Sequence, residues 1–369
     1  MQGGDNMKKV TVSHRCSDFD SFRAAYVKSL FNVESGANFA LTAELPDDTE
    51  DWQIGVIVGP SGSGKTSLGS AIWDDVKPWA PRWPKNQPII DAIGKRLEVK
   101  AAAATLSAVG LGSVPSWLRP YQVLSNGEKF RADLARLVCD APDRAVVDEF
   151  SSVVDRQIAK VGALAFGKAW RRTGGRAVLL SCHYDILEWL QPDWWFDTAD
   201  GSLNRRALRR PKFRLDIYET DWRYWHLFEP HHYLKLPKMI AARNYVGVVN
   251  GELVAHLAVS TRPGLVEARA CRLVVMPEWQ GAGVGLRFLN AVCERWLKGE
   301  NRFGLTMPML FHTSHPGLAD ALRRQPGWTQ VSGALHGSRA KGTGLSNATY
   351  GGHWRAVQGF RYIGRGSDV

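Results

Sequence analysis

Negative charge is scarce in the second half of this sequence. Residues 1–200 hold 23 Lys+Arg against 25 Asp+Glu, whereas residues 201–369 hold 24 against 11, a local excess of +13. Such asymmetry points to a polyanionic partner for the second half, nucleic acid first; a merely soluble basic surface is the plainer alternative. Arg205, Arg206, Arg209, Arg210 and Arg214 fall in one run, which reads either as a phosphate-matching stretch or as a solvated linker. Cysteine is scarce too: Cys16, Cys139, Cys182, Cys271 and Cys293 are scattered, with no CxxC or Cys/His metal spacing. That excludes a disulfide framework and a zinc ribbon, and predicts reduced, mostly buried thiols. No apolar run reaches the length of a membrane span, and no apolar stretch follows MQGGDNMKK, so a cytoplasmic protein is expected.

At 369 residues the chain has room for about two domains. Continuous apolar runs at 53–58, 144–150 and 177–183 alternate with helical spacing, which predicts a parallel sheet covered on both faces. Residues 8–16 alternate as an early strand, 18–33 read as helix or loop, and 92–109 read as one Ala-rich helix. Near residue 200 the texture turns polar, basic and Gly/Pro-punctuated, and the domain boundary is placed there, giving 1–205 and 206–369.

The first apolar run feeds directly into Gly59-Pro60-Ser61-Gly62-Ser63-Gly64-Lys65-Thr66-Ser67. This fits G-x-x-x-x-G-K-[ST] between a strand and a helix. Its glycines let backbone N–H groups wrap phosphates, Lys65 reaches the β/γ-phosphates, and the Thr66 hydroxyl suits Mg²⁺. Asp148 and Glu149 close a second apolar strand; Asp148 suits the Mg²⁺ shell and Glu149 the polarising of an attacking water. Leu124-Ser125-Asn126-Gly127-Glu128 opens a helix about twenty residues earlier.

In this order the motifs resemble those of ABC ATPases, whose signature LSGGQ is altered here at Asn126 and Glu128. Ser151 to Asp155 then resembles the D-loop, His183 the switch histidine, and Gln87 is the position assigned to the Q-loop. The resemblance implies ATP and Mg²⁺, and a homodimer in which Ser125 and Gly127 of one copy meet the γ-phosphate bound at Lys65 of the other. With no membrane domain in cis, it looks more like the ABC ATPases of DNA metabolism than an importer subunit.

The second half opens with apolar runs at 244–249 and 253–260 around Asn250-Gly251, a strong hairpin signal. A strand at 270–276 leads into Gln280-Gly281-Ala282-Gly283-Val284-Gly285 and a helix at about 285–298. This resembles motif A of the GNAT superfamily, Q/R-x-x-G-x-G/A. By that resemblance Val275 and Gln280 through Gly285 hold the pyrophosphate of acetyl-CoA or another acyl donor. A Rossmann turn is the competing reading, but it lacks its downstream acidic residue. The expected fold is therefore α/β: a P-loop ABC ATPase domain followed by an α+β GNAT-type domain with a central mixed sheet. One departure stands out. Many GNAT enzymes place a Tyr before a late Gly-Phe pair, and Ala321 to Trp328 contains none.

Pro230-His231-His232-Tyr233, the Phe311-His312-Thr313-Ser314-His315 run and Phe360-Arg361-Tyr362 resemble features of the phage Mom family, GNAT-like enzymes that modify adenine in DNA. By that resemblance His232, Tyr233 and Ser314 line a modification pocket; read plainly, His231 and His232 are polar loop residues and Tyr233 an interfacial aromatic. Trp222, Arg223, Tyr224 and Trp225 form an aromatic–basic cluster that suits base stacking, or else a first core strand or an interdomain seam. Residues 332–352, rich in Gly, Ser and Lys, read as a loop.

Overall fold

The structure is a computed structural model that describes residues 7–15, 19, 21–31, 38–94, 97–205, 207–209, 211–234, 238–239, 241–261, 264, 267–336, 340–341, 349–350 and 355–364. Cys16, Arg206 and Arg210, and most of the 332–352 segment, lie outside these. The chain forms two compact units: Met1–Arg82 with Ala141–Val154 and Trp170–Arg210, and Trp83–Asp140 with Asp155–Ala169 and Pro211–Val369.

The first unit is built on a five-stranded sheet in the order Arg144–Val147, Arg176–Ser181, Ile54–Val58, Trp194–Asp197, Ser202–Asn204. The first four strands run parallel and the last antiparallel. Ile54–Val58 is buried at every residue, as its unbroken apolar run requires. Met7–Arg15 and Asn38–Pro46 pair antiparallel, and their inward residues Val10, Val12, Ala43 and Leu45 join Ile57, Leu68, Val178, Leu180 and Phe196 in one core. Trp52 stacks on Trp73 and meets Trp194 edge-on within that core. Gly55 leaves room for the Trp194 ring, against which a Cβ would press. Helix Phe22–Phe31 buries none of its residues.

The second unit combines helices from the middle of the chain with a seven-stranded sheet. Its strand order is Trp328–His336, Arg355–Tyr362, Met309–Thr313, Ala268–Val275, Glu252–Thr261, Arg243–Val249, Asp216–Thr220. Only Ala268–Val275 and Met309–Thr313 pair in parallel, through Ala268↔Met309, Arg269↔Leu310 and Ala270↔Phe311. The parallel ladder ends at that last pair. Arg272 itself has φ +56, beside a register shift between His256 and Ala258. Asn250 and Gly251, at φ +52 and +85, make the expected hairpin turn. Helix Val284–Leu297 buries Val284, Phe288, Leu289, Val292, Cys293 and Trp296 against the sheet.

Several boundaries differ from the sequence pattern. The 92–109 run is broken: a short helix ends at Ala92, Gly94 takes φ +51, and the Ala-rich helix is Val99–Ala108. The strand expected over 144–150 stops at Val147, because the acidic pair turns away from it. The strand expected over 177–183 ends at Ser181, whose Oγ accepts from His183 N and bends the chain. Trp222 to Tyr224 form a 3-10 turn leading into helix Trp225–Phe228, not a strand, because Asp221 caps it by accepting from Arg223 N. Residues 332–336 continue the strand Trp328–His336 instead of forming a loop, since they pair with Arg355–Tyr362. The four described cysteines are free thiols; Cys293 is buried, Cys139 and Cys271 are half-buried and Cys182 is exposed, so fewer are buried than expected.

Candidate functional site

In the first unit the strand register brings three motifs to one edge. Val58 is level with Ser181, and Val147 with Leu179, so the P-loop, Asp148-Glu149 and His183 all follow the C-terminal ends of adjacent parallel strands. Helix Lys65–Ile72 starts at Gly64, which caps it at φ 85 and ψ 10 with no side-chain bond. Its first N–H groups therefore have no side-chain cap and are disposed toward an anion. A Cβ at Gly64 would strike the Phe39 ring, while one at Gly62 (φ +77) would meet nothing within 4 Å. Lys65 Nζ is folded back on Gly59 O at 2.8 Å and Pro60 O at 2.6 Å. Ser63 Oγ shares a hydrogen with Thr198 Oγ1 at 2.5 Å, which braces the loop against the neighbouring strand end. Pro60, Ser61 and Thr66 are exposed, and Ser67 is half-buried. These residues fit a nucleotide triphosphate.

Glu149 sits at φ +49, and Ser151 at +67. A left-handed Glu costs about 1–2 kcal/mol, so something must hold it. Ser152 donates to Glu149 O through both its N–H (3.0 Å) and its Oγ (2.9 Å). Phe150 N donates to Leu180 O at 2.8 Å, and Ser181 Oγ donates to Phe150 O at 3.1 Å. Asp148 Oδ1 accepts from Glu149 N at 2.8 Å. The Glu149 side chain is left exposed and His183 half-buried.

Two residues that local motifs do not reveal belong here. His14 Nε2 lies 2.7 Å from Ser67 Oγ, and its ring stacks on Phe39 at 6.2 Å. They are placed by the long hairpin pairing His14↔Phe39, a non-local match with no signature in the sequence around either residue.

In the second unit the signature helix Asn126–Asp140 begins with a reciprocal cap. Ser125 N donates to Glu128 Oε2 at 2.9 Å, and Glu128 N to Ser125 Oγ at 3.3 Å. Ser116 Oγ adds a bond to Glu128 Oε1 at 2.5 Å. The Glu at 128 thus completes a capping box, which accounts for one of the two departures from LSGGQ. These bonds hold its carboxyl below the ordinary range against the opposing effect of burial. A Cβ at Gly127 would press on Ile158 at 2.9 Å. Gln87 is exposed, just before helix Ile89–Ala92.

The loop after Ala268–Val275 divides into two parts. Gln280 N and Ala282 N turn back onto Pro277 O and Trp279 O, at 3.2 and 3.3 Å. The Gln280 amide donates to Val275 O at 3.0 Å, so the carbonyl of Val275 and the side chain of Gln280 are engaged within the protein. Gly281 takes φ +97. Gly283 then caps helix Val284–Leu297 at φ 85 and ψ 10, again with no side-chain bond, and a Cβ there would meet nothing within 4 Å. A Cβ at Gly285 would lie 3.1 Å from Val275 Cγ2. This turn and the P-loop share one cap geometry, and both leave a helix N-terminus without a side-chain cap.

His232 and Tyr233 lie side by side, and Ser314 follows a different element, strand Met309–Thr313. His232 is buried; its Nδ1 meets both backbone groups of Leu234, lying 2.7 Å from Leu234 O and 3.2 Å from Leu234 N. Its ring stacks on Tyr233 at 5.2 Å and meets Trp225 at 5.7 Å. Tyr233 is exposed and interacts electrostatically with Arg272. Ser314 follows strand Met309–Thr313, its Oγ buried and without a hydrogen-bond partner among the described residues. Trp225, Phe228 and Trp222 pack around His256, an aromatic core and not an exposed stacking face. Beside them Tyr218, Asp221, Arg223, Tyr224 and Arg243 line a pocket of about 590 Å³.

His256 is fully buried, its Nδ1 3.4 Å from Arg272 O and its Nε2 without a hydrogen-bond partner among the described residues. Burial pushes its pKa down from 6.5 to about 4. The unfolded chain then binds the proton first, so stability is lost as pH falls from 6.5 towards 4. By pH 5 the loss is about 2 kcal/mol. His256→Phe keeps the ring packing, and its unfolding free energy is expected to lack that decline; parallel pH profiles for the two proteins would contradict the assignment.

Residues 214–314 match the Acetyltransferase (GNAT) family. The zinc import ATP-binding protein ZnuC of Jannaschia sp. (strain CCS1) is 32% identical over 174 residues, 41% of this chain and 70% of that protein. Among solved structures, a putative cobalt transport ATP-binding protein aligns at 16% identity and TM-score 0.37, over 58% of this chain and 84% of the other. A dimeric bacterial ABC transporter cassette aligns at 14% identity and TM-score 0.39, over 55% and 98%. Among the described residues no helix is long and apolar enough to cross a membrane.

Proposed function

Because this chain belongs to the ATP-binding cassette ATPases and carries a GNAT-family acetyltransferase domain, we propose that it is an ATP-hydrolysing enzyme of nucleic-acid modification. In this reading residues 1–205 bind and hydrolyse ATP, and residues 206–369 transfer an acyl-type group to a nucleobase amine in DNA, as the Mom-like features suggest. The observation that carries the choice of nucleic acid is the charge: the excess of +13 lies wholly after residue 200.

The ATPase works as a homodimer. Gly59 to Ser67 cradle the phosphates, Thr66 and Asp148 hold Mg²⁺, Glu149 polarises water and His183 senses the γ-phosphate. Ser125 and Gly127 of one copy complete the site of the other. Acetyl-CoA or a related donor rests on Gly283 to Gly285 and the first turn of helix Val284–Leu297. The amine nitrogen attacks the donor's thioester carbonyl, the C–S bond breaks, and CoA leaves as thiolate. His232 takes the amine proton, with Tyr233 and Ser314 completing the pocket. Extruding a base from a duplex costs a few kcal/mol, which an ATP-driven clamp offsets. The enzyme works in the cytoplasm.

Nucleoside mass spectrometry of DNA from cells expressing the chain is expected to show a new modified base that is absent with Lys65→Ala. Unmodified DNA with newly acylated tRNA or protein would move the acceptor to RNA or protein. A second reading, a GNAT domain that only binds nucleic acid, is favoured by the lack of a Tyr in 321–328. It predicts DNA-stimulated ATP hydrolysis with every nucleoside and protein mass unchanged.

A further inference from the structure

The signature motif and the acyl-CoA loop are joined within the second compact unit, through one turn. Gly110 to Gly112 link helix Val99–Ala108 to the short helix Val114–Trp117, upstream of the signature helix. Gly112 is held at both of its polar backbone groups. Its N–H donates to Oε1 of Gln280 at 3.0 Å, the same amide whose Nε2 donates to Val275 O. Its carbonyl faces Nε2 of His315 at 3.2 Å. Leu318 N donates to Nδ1 of His315 at 3.3 Å, so Nε2 carries the proton and donates to Gly112. Trp117 meets the His315 ring edge-on at 5.3 Å, and burial pushes the pKa of that imidazole down. One residue therefore bridges the loops that follow Ala268–Val275 and Met309–Thr313, the two strands whose ladder stops after Ala270↔Phe311.

The signature helix grips the same loop directly. Arg131, six residues after Ser125 and about 9 Å along the helix axis, is 2% exposed. Its Nη2 donates to Pro277 O at 2.7 Å. Close approach leaves no slack around this bond. A Cβ on Gly110 (φ +89) would run into the carbonyl oxygen of Gln280, and one on Gly281 (φ +97) would lie 3.0 Å from Ala165 Cβ and 3.1 Å from Gly110 Cα. Two left-handed glycines pressed together at a close-packed seam transmit displacement; they do not absorb it.

We infer that Arg131, Gly112, Gln280 and His315 form a joint through which nucleotide bound at the signature motif sets the affinity of the acyl-CoA loop. The first half of that loop, Pro277 to Gly281, is the handle held by the ATPase helices. The second half, from Gly283, stays open for the donor. Coupling is reciprocal, so acyl-CoA shifts ATP affinity by the same factor. The inference rests on the nucleotide and acyl-CoA binding proposed above.

The test uses full-length Glu149→Gln protein with and without ATP–Mg²⁺. Amide hydrogen exchange is followed over 110–112 and 277–285, and acetyl-CoA affinity is measured by calorimetry in both conditions. ATP is expected to change exchange in both segments and to shift the acetyl-CoA Kd by about 5-fold or more. Arg131→Met and His315→Phe, added singly, are expected to abolish the shift while keeping the nucleotide-free Kd within about twofold. Tight acetyl-CoA binding with Kd and exchange indifferent to ATP would overturn the joint and leave the proposed function standing. Exchange that responds to ATP while acetyl-CoA fails to bind would overturn the acyl-CoA reading, and this regulation with it.

Discussion

Replacing Glu149 by Gln is expected to lower ATP turnover by about 10²–10⁴-fold and to leave ATP binding intact. The carboxylate follows Asp148 directly, at the C-terminal edge of the parallel sheet where the P-loop also ends. It is held at φ +49 by the two donors of Ser152 on its carbonyl, and by the flanking Phe150–Leu180 and Ser181–Phe150 bonds. A strained backbone fixed from three directions, with its side chain left exposed, is built to aim that side chain and not to pack it. Gln preserves shape and backbone and loses only the ability to take a proton from water. Steady-state phosphate release should therefore collapse, while equilibrium binding of ATP stays near the wild-type value. Lys65→Ala should behave oppositely, losing binding itself, because Lys65 has the P-loop carbonyls Gly59 O and Pro60 O as its partners and is free to exchange them for phosphate. Wild-type turnover in Glu149→Gln would remove Glu149 from the chemistry and return attention to Asp148 and His183.

What could be read from the sequence was whatever is local. A phosphate cradle needs a strand, a few glycines and a helix start within about fifteen residues, and both Gly64 and Gly283 announced themselves that way. The Asn250-Gly251 turn was legible for the same reason. Tertiary context decided the rest. The Ala-rich stretch from 92 to 109 has helical propensity throughout, but Gly94 in a left-handed conformation ends the first segment. Trp222 and Trp225 carry the composition of a stacking surface, yet they pack on buried His256, 34 and 31 residues further along the chain. His14 and Phe39 face Ser67 and Gly64 only because a long hairpin folds them there. The Gly112–Gln280 bond spans 168 residues, and Arg131–Pro277 spans 146. No period or spacing encodes such a pair in a single sequence. The nearest signal was Gly110-Leu111-Gly112, two glycines with no strand before them and no phosphate motif to explain them.

The second large effect is expected at Gly283, where Asp should weaken acetyl-CoA binding by about 100-fold or more. The argument is one of charge at a helix start. Val284–Leu297 begins with free N–H groups and a positive dipole end, and no side chain caps it. A carboxylate at the cap position accepts those N–H groups itself, so the donor's pyrophosphate meets a negative charge instead of open donors. Each charge-assisted hydrogen bond lost is worth about 1.5–3 kcal/mol, so two suffice for the stated factor. Gly283→Ala separates this from strain. Its Cβ would meet nothing within 4 Å among the described residues, so the left-handed φ of +85 is what is penalised. That substitution should lower fold stability by about 1–2 kcal/mol while binding falls far less than with Asp. Calorimetry with acetyl-CoA, alongside thermal unfolding of both variants, tells the two effects apart. Unchanged binding in Gly283→Asp would mean that this turn does not hold the donor. The domain would then be left with a GNAT sheet, a basic surface and an uncapped helix that serves some other anion, which is the condition under which a purely nucleic-acid-binding role for residues 206–369 gains ground.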